Sequence, residues 1–207
     1  MNSINNKTIW FKIKLQDDSF IKINNNIKIN NKIKINDSDN TSFDKLWELK
    51  PLHKPLLNIY GKKIEAPRYF QNYGADYYFS GKLHSGTPVP IILQPYLDYV
   101  NKLENVLENK FNNVLVNFYE DNNQYISYHS DNEKNIKKNS NIYCFSFGAE
   151  RMFYIKNNET KLVQKYKLLN NSCIIMGNTF QKYYKHSIPK TSKFFDKRIS
   201  ITIRQFV

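Results

Sequence analysis

From Asn113 onward the chain is a succession of short β-prone runs separated by turn residues: NVLVNFY, QYISYH, NIYCFSFG, RMFYIK, KLVQKYKLL, SCIIMGN and RISITIRQF. Seven or so closely spaced strands following helices imply an antiparallel sandwich or barrel backed by those helices. The expected fold class is therefore α+β, a double-stranded β-helix (jelly roll). Upstream, QPYLDYVNKLENVLENKF (94–111) reads as the clearest helix, with Pro95 in its first turn and Leu97, Val100, Leu103, Val106 and Leu107 on one apolar face. NTSFDKLWELK reads as a shorter helix with Thr41 or Ser42 as N-cap before a stripe of Phe43, Leu46 and Leu49. The first 40 residues, including FIKINNNIKINNKIKIND, alternate Ile with Lys or Asn; this is a strand period in a low-complexity setting. We read 1–40 as an arm carrying at most a hairpin, and 41–207 as one domain. Within that domain, 41–90 holds the first helix and loops with short strands, 94–111 the supporting helix, and 113–207 the β core.

Composition narrows the setting. With 15 Tyr and 14 Phe among 207 residues the chain can build a sizeable core. No apolar run is long enough for a membrane span, and the start, MNSINNKTIW, lacks a secretory pattern. Cys144 and Cys173 each sit in an apolar run, as buried free thiols do, which suits a reducing nuclear or cytoplasmic setting. The net charge of +13 points to an anionic partner such as nucleic acid. Asn, Lys and Ile dominate throughout, as biased nucleotide composition would produce, so lysine content alone is a weak pointer. The arginines are more informative. There are four, Arg68, Arg151, Arg198 and Arg204, in a chain that otherwise uses lysine, so they are candidates for work that needs a planar guanidinium.

The stretch YHSDNEK places His129 and Asp131 two residues apart, on one face of an extended segment. His186, in QKYYKHSIPK, is available as a third ligand, since a jelly roll can bring distant strands together. Two imidazoles and one carboxylate leave three coordination positions open, which suits non-haem Fe(II) and O2 chemistry. Zinc competes, but no cysteine pair or third histidine is placed to close a structural zinc site. Such an iron needs a two-electron donor, and a common one is 2-oxoglutarate, whose distal carboxylate would need a bidentate cation in a buried pocket. RISITIR supplies Arg198 and Arg204 on one face of the last strand, with Ser200 and Thr202 between them.

NVLVNFYEDNNQYISYHSDNEK, FSFGAERMF, YKHSIPK and RISITIR, in that order and at those spacings, together resemble the AlkB family of iron- and 2-oxoglutarate-dependent nucleic-acid dealkylases. The resemblance runs from about Gly61 to Gln205. It implies Fe(II) held by His129, Asp131 and His186, and 2-oxoglutarate held by Asn117 and Tyr119 with Arg198, Ser200, Thr202 and Arg204, each arginine taking one end. IYGKKIEAPRYFQNYGADYYFSG (59–81) is similar to the family member that repairs alkylated duplex DNA. By that likeness Tyr60, followed by Gly61 and Lys62, tips a nucleotide-recognition hairpin that wedges into the base stack, and Tyr77 and Phe79 line the base pocket. Arg68 and Arg151 match arginines near the nucleic acid. His53 and His84 match nothing and read as solvated loop residues.

Three departures bear on substrate. Asn132 stands where that relative has a second Asp beside the base, Ser200 replaces an Asn, and Ile203 replaces a Phe. The resemblance implies a monomeric enzyme, free of membranes, that removes methyl groups from 1-methyladenine and 3-methylcytosine in DNA and releases succinate, CO2 and formaldehyde. An RNA-directed demethylase shares every catalytic residue. A 2-oxoglutarate-dependent protein hydroxylase and a catalytically inert nucleic-acid-binding module are the readings from other classes, and the intact ligand set argues against the last.

Overall fold

The strand Arg198–Arg204 shows how the chain sorts itself. Its isoleucines, Ile199, Ile201 and Ile203, enter one apolar core, while Arg198, Ser200, Thr202 and Arg204 are equally buried on the opposite face. A strand buried on both faces must lie between two layers, and period-two alternation decides which side chain meets which layer. The computed structural model describes residues 9–27, 29, 40–79, 81–108, 110–177, 179–192 and 196–207, with the side chains of residues 40, 41, 79 and 82 outside that description.

In chain order the strands are β1 (Phe11–Lys14), β2 (Phe20–Asn24), β3 (Leu56–Ile59), β4 (Lys62–Glu65), β5 (Tyr69–Gly74), β6 (Tyr77–Phe79), β7 (Lys82–His84), β8 (Asn113–Tyr119), β9 (Ile126–His129), β10 (Ile142–Gly148), β11 (Arg151–Asn157), β12 (Val163–Leu168), β13 (Ser172–Gly177), β14 (Tyr184–Ile188) and β15 (Arg198–Arg204). The helices are α1 (Asn40–Trp47), α2 (Gln94–Leu103) and α3 (Phe180–Tyr183). A seven-stranded sheet runs β1-β2-β13-β10-β15-β8-β5 and faces a four-stranded sheet, β12-β11-β14-β9. All of their strand pairings are antiparallel. Two separate hairpins, β3-β4 and β6-β7, complete the β structure. This is the jelly roll expected from the run of short strands.

Two cores follow from the layers. Leu46 of α1 and Tyr96, Leu97 and Val100 of α2 pack with Val114, Val116 and Phe118 of β8 and the isoleucines of β15. Between the sheets, Ile142, Ile174 and Met176 meet Phe153, Ile155 and Ile188. Each fully buried side chain of this size contributes about 1.5–3 kcal/mol. The polar face of β15 interrupts the inter-sheet core, and that interruption is the site.

Four local expectations change. Within the stretch read as an arm, β1 and β2 form a hairpin, and β2 pairs with β13, extending the large sheet. The alternation of FIKIN decides this: Ile21 and Ile23 enter the inter-sheet core, and Phe20 lies on Gly177, where an added Cβ would sit 2.0 Å from the ring. Ile21 is fully buried, so Ile21→Ala should cost about 2–4 kcal/mol in urea unfolding; a truly free arm would show no loss. The supporting helix ends at Leu103, not 111, because Asn105 turns left-handed (φ 51°), leaving Leu107 85% exposed. Helix α1 begins at Asn40, so Thr41 and Ser42 lie inside it and neither is the N-cap. A one-turn helix, α3, also interrupts what the sequence presents as strands alone.

Candidate metal centre and cosubstrate cavity

Strand pairing builds the metal centre. β9 and β14 are neighbours in the small sheet, and His129 and His186 are direct cross-strand partners with ring centroids 4.2 Å apart. Asp131 follows β9 by two residues and turns its carboxylate between them, with Oδ1 3.8 Å from His129 Nε2 and Oδ2 3.8 Å from His186 Nε2. The ligand atoms of the three lie within 4.8 Å of one another. The Ser127 carbonyl, 2.9 Å from His129 Nδ1, can only accept, so that nitrogen carries the proton and Nε2 presents its lone pair. Burial keeps both imidazoles neutral: it lowers the His129 pKa and, with His129 close by, lowers that of His186 to about 3. Asp131 is also buried, which by itself would raise its pKa. The Arg204 guanidinium and the two imidazoles outweigh that and hold the carboxyl well below the usual range. Two neutral imidazoles and an ionised carboxylate are the protonation states a divalent cation needs.

The polar face of β15 forms the adjoining wall. Arg204 Nη2 donates to Asp131 Oδ1 at 2.7 Å, so it stands at the metal end. Arg198, six residues away, donates through Nη2 to Ser146 Oγ at 2.9 Å and lies 5.0 Å above the Tyr119 ring. Ser200 and Thr202 line the cavity between the two, with Asn117 and Cys144. Nε and Nη1 of both arginines are buried without a hydrogen-bond partner. Unsatisfied cationic donors at the two ends of one cavity are costly unless an anion joins them. A small dicarboxylate fits that donor set, and Fe(II) fits the His/Asp/His set.

Other expected residues fall into place or move. Tyr77 is buried against the Arg204 guanidinium, 5.0 Å from ring centre to Cζ, and its burial raises its pKa. Phe79 lies in β6, but its side chain is outside the described residues. Tyr60 and Gly61 are the two-residue turn of the β3-β4 hairpin, with φ of 50° and 76°, and Lys62 opens β4. Left-handed backbone at both turn positions matches the twist of a two-residue hairpin but strains a bulky aromatic at the first of them. The Tyr60 side chain is wholly exposed. Leu57 roots this hairpin in the same apolar cluster as Tyr77. Asn132 is exposed beside Asp131 and lines a groove that adjoins the cavity.

Arg68 and Arg151, expected near the nucleic acid, are both buried and held by partners inside the protein. Arg68 is 4% exposed, lines the cavity and donates from Nε to Asn117 Oδ1 at 2.7 Å. Arg151 is 2% exposed and donates to the carbonyls of Asp121, Gln124 and Pro189, so it ties loops together. His84, expected in solvent, packs between the rings of Phe70 and Tyr77. Sequence reasoning missed Ser146, Cys144 and Glu133. Cys144 Sγ lies 3.1 Å from Ser200 Oγ. Glu133 hydrogen-bonds Tyr77, and its Oε2 is buried without a partner. The available signal for the first two is the alternation of IYCFSFG, which puts Cys144 and Ser146 on one face.

A sequence profile described as the 2OG-Fe(II) oxygenase superfamily matches residues 36–204. The chain is 28% identical over 162 residues to the DNA oxidative demethylase ALKBH2 of Homo sapiens, covering 73% of this chain and 61% of that protein. It is 26% identical over 192 residues to the ALKBH2 of Arabidopsis thaliana, covering 79% and 61%. The match thus spans about three fifths of the length of these curated relatives. Among solved structures, that of OsALKBH1 superposes with a TM-score of 0.59 over 94% of this chain and 99% of the other, at 13% identity, a likeness of fold alone.

Proposed function

Because the chain belongs to the 2OG-Fe(II) oxygenase superfamily, whose cofactors are Fe(II), 2-oxoglutarate and O2, we propose that it oxidatively removes alkyl groups from base nitrogens of DNA, with 1-methyladenine and 3-methylcytosine as substrates. The observation that carries this reading is one buried cavity walled by a His/Asp/His triad and two unsaturated arginines, beside a hairpin with an aromatic tip. The demethylases named among its relatives support a DNA substrate.

In this reading His129, Asp131 and His186 hold Fe(II). Arg198, oriented by Ser146 and Tyr119, takes the distal carboxylate of 2-oxoglutarate, and Arg204 stands at the chelating end. Bound together, iron and cosubstrate supply O2 activation coupled to oxidative decarboxylation, so the N-alkyl carbon is hydroxylated and leaves as an aldehyde with succinate and CO2. The chain's own work is geometric and electrostatic. Arg68 holds Asn117 on the cavity wall, and the neutral Tyr77 hydroxyl and Glu133 offer hydrogen bonds to a base edge. Arg151 fixes the loop between β8 and β9 that precedes the metal ligands.

A base inside a duplex must be extruded first, at a cost of a few kcal/mol, and a ring that fills the gap offsets part of it. Tyr60, exposed on a strained turn, is the wedge in this reading. The test is mass spectrometry of methylated DNA and RNA oligomers incubated with Fe(II), ascorbate and 2-oxoglutarate, where loss of one methylene mass is expected. Failure on every oligomer would reject the assignment. Tyr60→Ala should lower turnover of duplex DNA roughly tenfold, about 1.4 kcal/mol of lost wedging, and leave single strands unaffected. Unchanged duplex turnover would remove Tyr60 from the wedge role, and a preference for RNA oligomers would make this an RNA demethylase.

A further inference from the structure

A groove adjoins the cavity, between the loop 130–140 and the segment 179–185, and the two meet at Asp131. Five exposed lysines line it: Lys134, Lys137, Lys138, Lys182 and Lys185. In a chain this rich in lysine, exposure alone means little. What sets these five apart is that they share one groove, in which, among the described residues, none of them pairs with a carboxylate. The groove's two acids are engaged elsewhere, Asp131 by Arg204 and Glu133 by Tyr77. Five lysines against Glu133, the one groove acid without a cationic partner among the described residues, leave its field positive, and it leads to the site.

The wall is also firmly built. The Lys137 N–H donates to the Gln205 carbonyl at 2.8 Å, the Val207 N–H donates to the Asn135 carbonyl at 2.9 Å, and Ile136 bridges to Phe206. On the other side, Gln181 Oε1 accepts from the Asp131 N–H at 2.9 Å, joining the second wall to the metal ligand. On pinned backbone the binding of an anion carries the cost of ordering the lysine side chains but not that of ordering the loop. Ammonium groups spaced along a concave track suit a chain of phosphates better than a single one.

We propose that this groove carries the phosphodiester backbone of the strand whose base enters the cavity, a proposal that rests on the nucleic-acid reading above. Contacts of this kind position a strand without reading its sequence. They also contribute a salt-dependent share of affinity, with a slope of log K against log salt of roughly 0.7 per neutralised phosphate on a single strand.

The test is fluorescence-polarisation binding of a labelled single-stranded oligonucleotide to the full chain across a salt series. Lys137→Glu/Lys138→Glu/Lys185→Glu should weaken binding by at least about tenfold at 0.1 M salt and flatten the slope by about 2. All three are exposed, and an unchanged unfolding midpoint verifies the fold. Lys161→Glu/Lys165→Glu/Lys167→Glu makes the same change of net charge away from the groove and should weaken binding far less. Equal weakening by the two triples, or none by the first, overturns the proposal. Displacement of the oligonucleotide by polyglutamate at equal charge concentration would reassign the groove to an acidic polypeptide. If the wild-type chain binds oligonucleotides but dealkylates none, the groove stands and the reaction assignment falls. If it binds none, both fall.

Discussion

Arg204→Ala should destabilise the metal-free protein by about 3–5 kcal/mol, because it leaves the Asp131 carboxylate buried without its guanidinium. Asp131 is 2% exposed and Arg204 is 2% exposed, so solvent cannot take over the role of either. The sign of the acid dependence should also change. In the wild-type chain the Asp131 carboxyl sits below its ordinary range. Its contribution to stability is therefore complete above the unfolded value of about 3.9 and is lost as pH falls below it. Without Arg204, burial dominates and raises the carboxyl, so the variant should lose stability as pH rises through the acid range. Urea unfolding of the metal-free protein between about pH 2 and 8 measures both effects. A variant as stable as the wild type at every pH would show that the 2.7 Å contact contributes nothing.

Arg198→Ala should behave differently. Its Nε and Nη1 have no partner in the protein, so removing the charge should cost less stability than Arg204→Ala does, the remaining cost being the vacated volume and the lost Ser146 contact. The loss should appear in the Michaelis constant for 2-oxoglutarate. Truncating one partner of a buried charge pair costs about 2–5 kcal/mol, roughly thirty-fold to several thousand-fold in affinity. Succinate formation at varied 2-oxoglutarate is the readout, with Arg198→Lys expected between the two because it keeps the charge and loses the fork. If the Michaelis constant stayed put while stability fell, Arg198 would be a structural cation. The two arginines, alike in sequence, are thus separable by which quantity each one moves.

That division was not legible in RISITIR. Its alternation shows that Arg198 and Arg204 share a face, but which end each occupies depends on Asp131, 73 residues before Arg204, and on Ser146, 52 before Arg198. The three ligand-type residues were legible because imidazole and carboxylate in that arrangement serve few purposes, and their order and spacing match a known set. The internal partners of Arg68 and Arg151 were not legible, for the converse reason. A guanidinium among lysines marks demanding geometry, and here the demand is met by Asn117 and by main-chain carbonyls inside the protein. The hairpin β1-β2 was read as an arm because its repetitive composition hides a good alternation, and its sheet partner, β13, lies some 150 residues away in sequence.

The site's parts belong to different layers. His129 and His186 stand on the small sheet, whereas Asn117, Arg198 and Arg204 stand on the large one, with the Asp131 carboxylate reaching across to Arg204. A cation held by the first group and a dicarboxylate held by the second would, on touching each other, rivet the two halves of the sandwich together. Occupancy then becomes a structural load as well as a chemical requirement. Each filled site would add RT ln(1 + [L]/Kd) to the folded state, so iron and 2-oxoglutarate would stabilise the fold as well as support its turnover.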